Sequence, residues 1–320
     1  MAPEWIILIC IMSLVAIVLI AAAICFYMVF YSPKRKERAE DDYELPPGKE
    51  YEPFYPQMIE WTKESRVAEH INVEIKTFDG LTLRGRYYEH SPDAPIEIMM
   101  HGYHGNLERD LNGGIFRALK IGHSVIVYDH RGSGKSDGNV LTFGINESRD
   151  CRRWIDYVLE NINKDAKIIL SGVSMGASTA MIVSGFDDLP KNIIGIVADC
   201  GYTSAKDIIS KVMRDMKLSP AIFYPFVKLG ARIYGRFDID EFSPLEQVKK
   251  SKVPTIFVHG DADDFVPLEM SKQNYEACSA ERKRFVIIKG AAHGLAYPVG
   301  LDSYLDELRT FFEYEKSIEI

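Results

Sequence analysis

Six short apolar runs recur along the chain: IEIMM at 96–100, SVIVYD at 124–129, KIILSG at 167–172, IIGIVAD at 193–199, TIFVHG at 255–260 and FVIIKG at 285–290. Each is rich in Ile and Val and shows no strict alternation, the pattern of strands buried on both faces of a parallel sheet. Such a sheet needs helices on both sides. The stretches Leu111 to Ile121, Glu147 to Asn161, Met175 to Gly185, Pro267 to Ala280 and Leu301 to Tyr314 are the candidates. Ahead of them, INVEIKTF and LTLRGRYYE alternate apolar and polar residues around Asp79-Gly80, a tight-hairpin signal that opens an antiparallel edge. The expectation is one α/β domain over residues 61–320, with folding proper starting near Trp61.

One segment breaks the rhythm. Between Cys200 and Val253 there is no strand signal, only helical stretches carrying Phe223, Tyr224, Phe226, Tyr234, Phe237 and Phe242. An insertion of this length reads as a helical lid, about 201–252, over the strand ends, with most of its aromatics packing it against the sheet. Residues 39–60 combine acids with Pro46, Pro47, Pro53 and Pro56 and read as a linker.

From Trp5 to Tyr31 there is no charged residue, and about 20 apolar residues suffice to cross a bilayer. The reading is a single transmembrane helix, span about 5–31, within an anchor formed by residues 1–38. A secretory signal peptide would open on a basic segment, whereas Met1-Ala2-Pro3-Glu4 carries no base and the run is too long. Lys34, Arg35, Lys36 and Arg38 follow at once, and such an excess marks the cytoplasmic flank, so the catalytic domain is expected in the cytoplasm. The same cluster suits anionic lipid headgroups or serves as an orientation signal alone.

The chain has 38 Lys and Arg against 46 Asp and Glu, a formal net charge of -8, which argues against nucleic acid as a partner. Its five Cys form no C-x-x-C pair, so neither a metal site, another cofactor nor a disulfide framework is expected.

Gly172-Val173-Ser174-Met175-Gly176 follows the run KIILS and opens a helical stretch, which satisfies the G-x-S-x-G spacing and its strand-turn-helix context. A serine on so sharp a turn projects clear of the sheet, and Ser174 is the candidate nucleophile. It needs a base, and His293, in the small-residue loop GAAHG after FVIIK, is placed to reach across the sheet. The imidazole needs a carboxylate. HGDADDFVP offers Asp263 first, with Asp264 and Asp261 as alternatives, and Asp199 at the end of IIGIVAD as a separate fallback. Oxyanion donors are expected from the backbone amides of Met175, next to the nucleophile, and Tyr103, in the loop HGYHGN. His104 reads as a loop residue. RGSGKS ends like a phosphate loop, but the Gly required five residues before Gly134 is Asp129, so it reads as a structural turn.

Taken in order, HGYHGN, YDHRGSGKSDG, GVSMG, HGDADDFVP and AAHG make residues 70–315 resemble the α/β-hydrolase superfamily. The resemblance implies a doubly wound, mostly parallel sheet of about eight strands, the triad Ser174, Asp263 and His293, and an oxyanion hole at Tyr103 and Met175. It is similar to membrane-anchored bacterial hydrolases of the prolyl-oligopeptidase-like and dienelactone-hydrolase-like branches; the latter use Cys where this chain has Ser174. The expected function is a membrane-tethered serine hydrolase cleaving carboxylic esters of small acyl substrates through an acyl-enzyme. Thioesterase or serine aminopeptidase-like activity is the alternative within enzymes, and a catalytically silent membrane scaffold the alternative outside them.

Overall fold

The computed structural model describes residues 3–33 and 41–316. Helix α1 (Pro3–Phe30) and helix α2 (Tyr55–Val67) precede the strands β1 (Ile71–Lys76), β2 (Thr82–Tyr88) and β3 (Ile96–Met100). Helices α3 (Leu107–Asp110) and α4 (Asn112–Lys120) lead to β4 (Ser124–Tyr128), α5 (Ile145–Tyr157) to β5 (Ile168–Val173), and α6 (Met175–Val183) to β6 (Ile193–Asp199). Then come α7 (Ala205–Asp215), α8 (Pro220–Gly230) and α9 (Pro244–Val248), followed by β7 (Thr255–Gly260) and α10 (Leu268–Ala277). Strand β8 (Lys283–Ile288) and helices α11 (Ala296–Val299) and α12 (Leu301–Lys316) complete the order.

The eight strands form one sheet, ordered β1-β2-β4-β3-β5-β6-β7-β8. β1 pairs antiparallel with β2, and β2 with β4; every other pairing is parallel. All six apolar runs are strands, and the hairpin turns at Asp79-Gly80 as its sequence requires. Successive side chains on a strand point to opposite faces, so a strand covered on both sides must be apolar at both parities. Thus Ile98, Ile126 and Leu170 face one core with Trp154 of α5 and Ala177 of α6. Their neighbours Met99, Val127 and Ile169 face the other side, covered by α4, α11 and α12 through Ile115, Tyr297 and Leu308.

A third cluster gathers at the C-terminal ends of the strands. Helices α7 and α8 contribute Ile208, Met213, Tyr224 and Val227, the sheet ends Met175, Tyr202 and Val266, and α1 contributes Phe30. Gly230 lies flush on α1: a Cβ there would stand 2.5 Å from the Ala22 carbonyl oxygen. The Phe30 ring meets Phe143 and Phe237 edge-on at 5.9 and 5.2 Å. Beyond the helix, the Ser32 amide donates to the Asn139 carbonyl at 2.8 Å and the Leu141 amide to the Phe30 carbonyl at 2.9 Å. Toward its N-terminus α1 is exposed, Trp5 and Ile11 by 60% and 55%, and Glu4–Phe30 is long and apolar enough to cross a membrane. The basic cluster Lys34, Arg35, Lys36 and Arg38 lies outside the described residues.

Two expectations change. Residues 41–60 are docked on the domain rather than trailing from it: Asn106 donates to Glu44 at 2.8 Å, and the Tyr51 hydroxyl donates to the His293 carbonyl at 2.9 Å. Helix α2 begins at Tyr55 because Pro56 sits in its first turn, where no amide donor is needed. The helical insertion 201–252 is present, but it packs against α1 and the strand ends and supplies no wall to the cavity at Ser174.

Candidate active site

The chain reverses sharply between β5 and α6, and Ser174 sits at the turn with φ 57° and ψ -115°, a strained conformation for any residue with a side chain. The glycines on either side explain how the turn closes. A Cβ on Gly172 would collide with the Gly176 backbone, and one on Gly176 with the Met100 carbonyl. The Ser174 amide is tied to the Asp199 carbonyl at 2.8 Å, which anchors the turn to β6.

His293 reaches this turn from the loop after β8. Its Nε2 lies 3.0 Å from Ser174 Oγ and its Nδ1 2.7 Å from Asp263 Oδ2. The side chain of His293 keeps some solvent contact, and the Phe265 ring lies 5.0 Å from it. Asp263 comes from the loop after β7 and is otherwise satisfied by protein: Oδ1 accepts from the amides of Phe265 and Val266 at 3.0 and 2.8 Å. His259 Nε2 stands 3.1 Å from Oδ2, while its Nδ1 faces the Ser271 hydroxyl at 2.7 Å. Burial alone would raise the Asp263 pKa, but contacts with His259 and His293 outweigh it and hold the carboxyl well below its usual range. A carboxylate that stays ionised fixes the imidazole with Nε2 free to accept a proton.

Of the other acids considered for this role, Asp261 accepts from the Gly290 amide at 2.5 Å and steadies the histidine loop. The Asp264 carbonyl accepts from Lys211. Asp199 does not pair with His293; its Oδ2 accepts from the Tyr304 hydroxyl at 3.0 Å.

The Met175 amide opens α6, where the first amides have no acceptor within the helix. The loop carrying Tyr103 lies against Ser174: a Cβ on Gly102 would sit 3.6 Å from Ser174 Cβ. Asp110 accepts from the Gly102 amide at 3.1 Å, and His101 Nδ1 lies 2.7 Å from the Gly102 carbonyl. The Tyr103 hydroxyl donates to the carbonyl of Val29 in α1 at 2.6 Å, and its ring lies 4.8 Å from Phe143. Both oxyanion candidates therefore belong to the cluster that seats α1. His104 adopts φ 51° and its carbonyl accepts from Arg109 at 3.0 Å.

Between Ser174 and the interior runs a cavity of about 230 Å³. Tyr51, Met58 and Trp61 form the wall supplied by the N-terminal segment, and Asp199, Tyr297 and Tyr304 also line the cavity. None of the wall residues was legible as functional in the sequence. His259 carries a local signal, since it opens the motif HGDADDFVP, whereas Asp110 lies four residues past HGYHGN and carries none. Cys200, Asp263 and His293 also bring possible metal-ligand atoms within 4.8 Å of one another. A metal there would compete with the contacts joining Asp263 and His293, and burial pushes the Cys200 thiol well up, so it keeps its proton. In RGSGKS the Lys135 amide turns onto Asp129 Oδ2 at 2.8 Å, which puts a carboxylate where a phosphate loop would hold an anion.

Residues 98–233 match the family described as alpha/beta hydrolase fold, and residues 243–297 that described as serine aminopeptidase, S33. Among curated relatives, protein YqkD of Bacillus subtilis is 25% identical over 236 residues, 73% of this chain and 76% of its own. Thiohydrolase aneE of Aspergillus aculeatus is 29% identical over 157 residues, 48% of this chain and 49% of its own. The solved esterase Pf2001 of Pyrococcus furiosus superposes with a TM-score of 0.64 at 24% identity, covering 79% of this chain and 94% of that one. These matches support hydrolysis as the class of activity.

Proposed function

Because the chain belongs to the α/β-hydrolase superfamily, we propose that it is a membrane-tethered serine hydrolase that cleaves carboxylic esters through an acyl-enzyme on Ser174. The observation that carries the reading is the line of contacts from Asp263 through His293 to Ser174, at 2.7 and 3.0 Å. His293 Nε2 takes the hydroxyl proton as Oγ attacks the ester carbonyl, and Asp263 stabilises the imidazolium that forms. The amides of Met175 and Tyr103 receive the negative oxygen of the tetrahedral intermediate. Collapse expels the alcohol, which takes the proton from His293. A water activated by the same imidazole then attacks the acyl-enzyme and releases the acid.

The apolar exposed surface of α1 supports its reading as the anchor, and Lys34, Arg35, Lys36 and Arg38 support a cytoplasmic catalytic domain. A thioester is the second reading for the substrate, favoured by the thiohydrolase among the relatives.

The test is fluorophosphonate labelling of the full chain in detergent, beside Ser174→Ala and His293→Ala. Labelling lost in the first variant and strongly reduced in the second is the expected result, with turnover of short p-nitrophenyl esters falling by at least about a thousandfold in Ser174→Ala. A folded wild-type chain that neither labels nor turns over esters or thioesters overturns the reading.

A further inference from the structure

The cavity beside Ser174 is also lined by polar atoms that the triad does not use. Asp199 is 92% buried by its 8% exposure, and its Oδ1 has no hydrogen-bond partner among the described residues. The hydroxyl of Tyr297, on the same cavity, is buried and equally unpaired. Neighbouring charge is already committed: Arg117 donates to Glu97 Oε2 at 2.6 Å, and His123 Nδ1 lies 2.7 Å from Glu97 Oε1. With the other lining carboxylate, Asp110, taken up by Arg109 and the Gly102 amide, Asp199 is the one fixed by Tyr304 on one oxygen and open on the other.

A buried acceptor without a donor is costly, whereas one matched to a ligand donor becomes a strong discriminator. Met58, Trp61, Met99 and Val197 supply apolar wall, and the charged residues that also line the cavity, Arg109, Asp110 and Arg117, are paired within the protein. The geometry points to a recognition subsite in which Asp199 Oδ1 and the Tyr297 hydroxyl receive a hydrogen-bond donor, a hydroxyl or ammonium group, at the far end of an otherwise apolar arm of the substrate. This names the substrate class for the site proposed above and rests on that reading. Asp199 is then a specificity residue, one strand away from the triad acid, and the substrate is an ester or thioester with a polar terminus rather than a plain fatty acyl chain. Burial pushes the Asp199 carboxyl up to about 6, opposed by Tyr304, His259, His293 and Arg117, so donor recognition strengthens as the pH rises through that value.

The experiment uses the full chain in detergent and matched substrates. One series is p-nitrophenyl esters of acyl chains of four to eight carbons, each plain, with a terminal hydroxyl and with a terminal ammonium. The other is butyrate monoesters of alkanols and of the corresponding diols, for the case in which the alcohol side enters the cavity. At one chain length in one series, the donor-bearing substrate is expected to exceed its plain partner in kcat/KM by at least about tenfold. Asp199→Asn should remove most of that ratio while fluorophosphonate labelling of Ser174 stays normal, and Tyr297→Phe should lower it further. The hydroxyl and ammonium arms decide which donor is taken. Labelling without any donor preference, or a preference untouched by Asp199→Asn, overturns the subsite and leaves the nucleophile standing. Absence of labelling in the wild-type chain overturns the underlying reading instead.

Discussion

Two segments lie at the C-terminal edge of the sheet, and they divide the work against expectation. Residues 201–252 are rich in aromatics and helical, yet their apolar faces are spent on α1 and the strand ends. Residues 43–67 are rich in Pro and charge, yet they carry Tyr51, Met58 and Trp61 to the cavity wall and hold the histidine loop by its carbonyl. Composition reports how much surface a segment buries and says little about where. The insertion acts as the seat for α1, and the supposed linker acts as the cover of the candidate site.

The sharpest way to break this comparison is Trp61→Ala. Trp61 stacks on Tyr297 at 5.5 Å and is nearly fully buried, so its removal should cost about 3–5 kcal/mol in denaturant unfolding. Activity toward small esters should fall with it. Next in size is the buried ion pair beneath the same wall. Burial would raise the Glu97 pKa, but Arg117 and His123 outweigh it and hold the carboxyl at about 2 against an ordinary 4.5. Its contribution, about 3 kcal/mol, is complete above pH 4.5 and is lost as the pH falls toward 2. In Glu97→Gln this acid-linked loss should vanish from a pH series of melting curves.

On the other side of the comparison, Gly230→Val should force α8 off Ala22 and cost about 1–3 kcal/mol of thermal stability. Small-ester turnover should stay within about twofold, since no residue of 201–252 lines the cavity; a collapse of turnover would mean that the two segments act as one. The smallest effects belong to two hydroxyls. Tyr51→Phe removes the bond to the His293 carbonyl and should lower kcat by about fivefold with KM unchanged. Tyr103→Phe removes the bond to Val29 and should cost about 1 kcal/mol of stability with kcat nearly unchanged.

What could be read in advance was what depends on neighbours in the chain. The six Ile- and Val-rich runs became strands because strand burial is written at every position. The small residues of GVSMG mark a turn whose glycines truly have no room for a Cβ. Ser174, Asp263 and His293 meet because each lies just past the C-terminal end of a strand, and parallel strands bring those ends together. Tyr51 and Trp61 were hidden for the opposite reason. Their contacts, with His293 and Tyr297, span more than two hundred residues and leave no periodic trace. Four prolines read as a linker, but Pro56 starts a helix as readily as it would end one. Asp199 was recognised as an acid near the site, while its actual partner, Tyr304, lies on α12, which no local motif connects to β6.

The junction after α1 leaves little slack: Phe30 and Ser32 are paired directly to the segment 139–141, and the Val29 carbonyl is held by Tyr103. A helix seated in a bilayer tilts when the hydrocarbon layer thins or thickens. With α1 anchored as proposed, such a tilt would pass through these pairings to the loop beside Ser174. On the anchoring proposed above, bilayer thickness becomes a variable the assay must hold fixed, and the lipid chosen for reconstitution acts as a reagent in it.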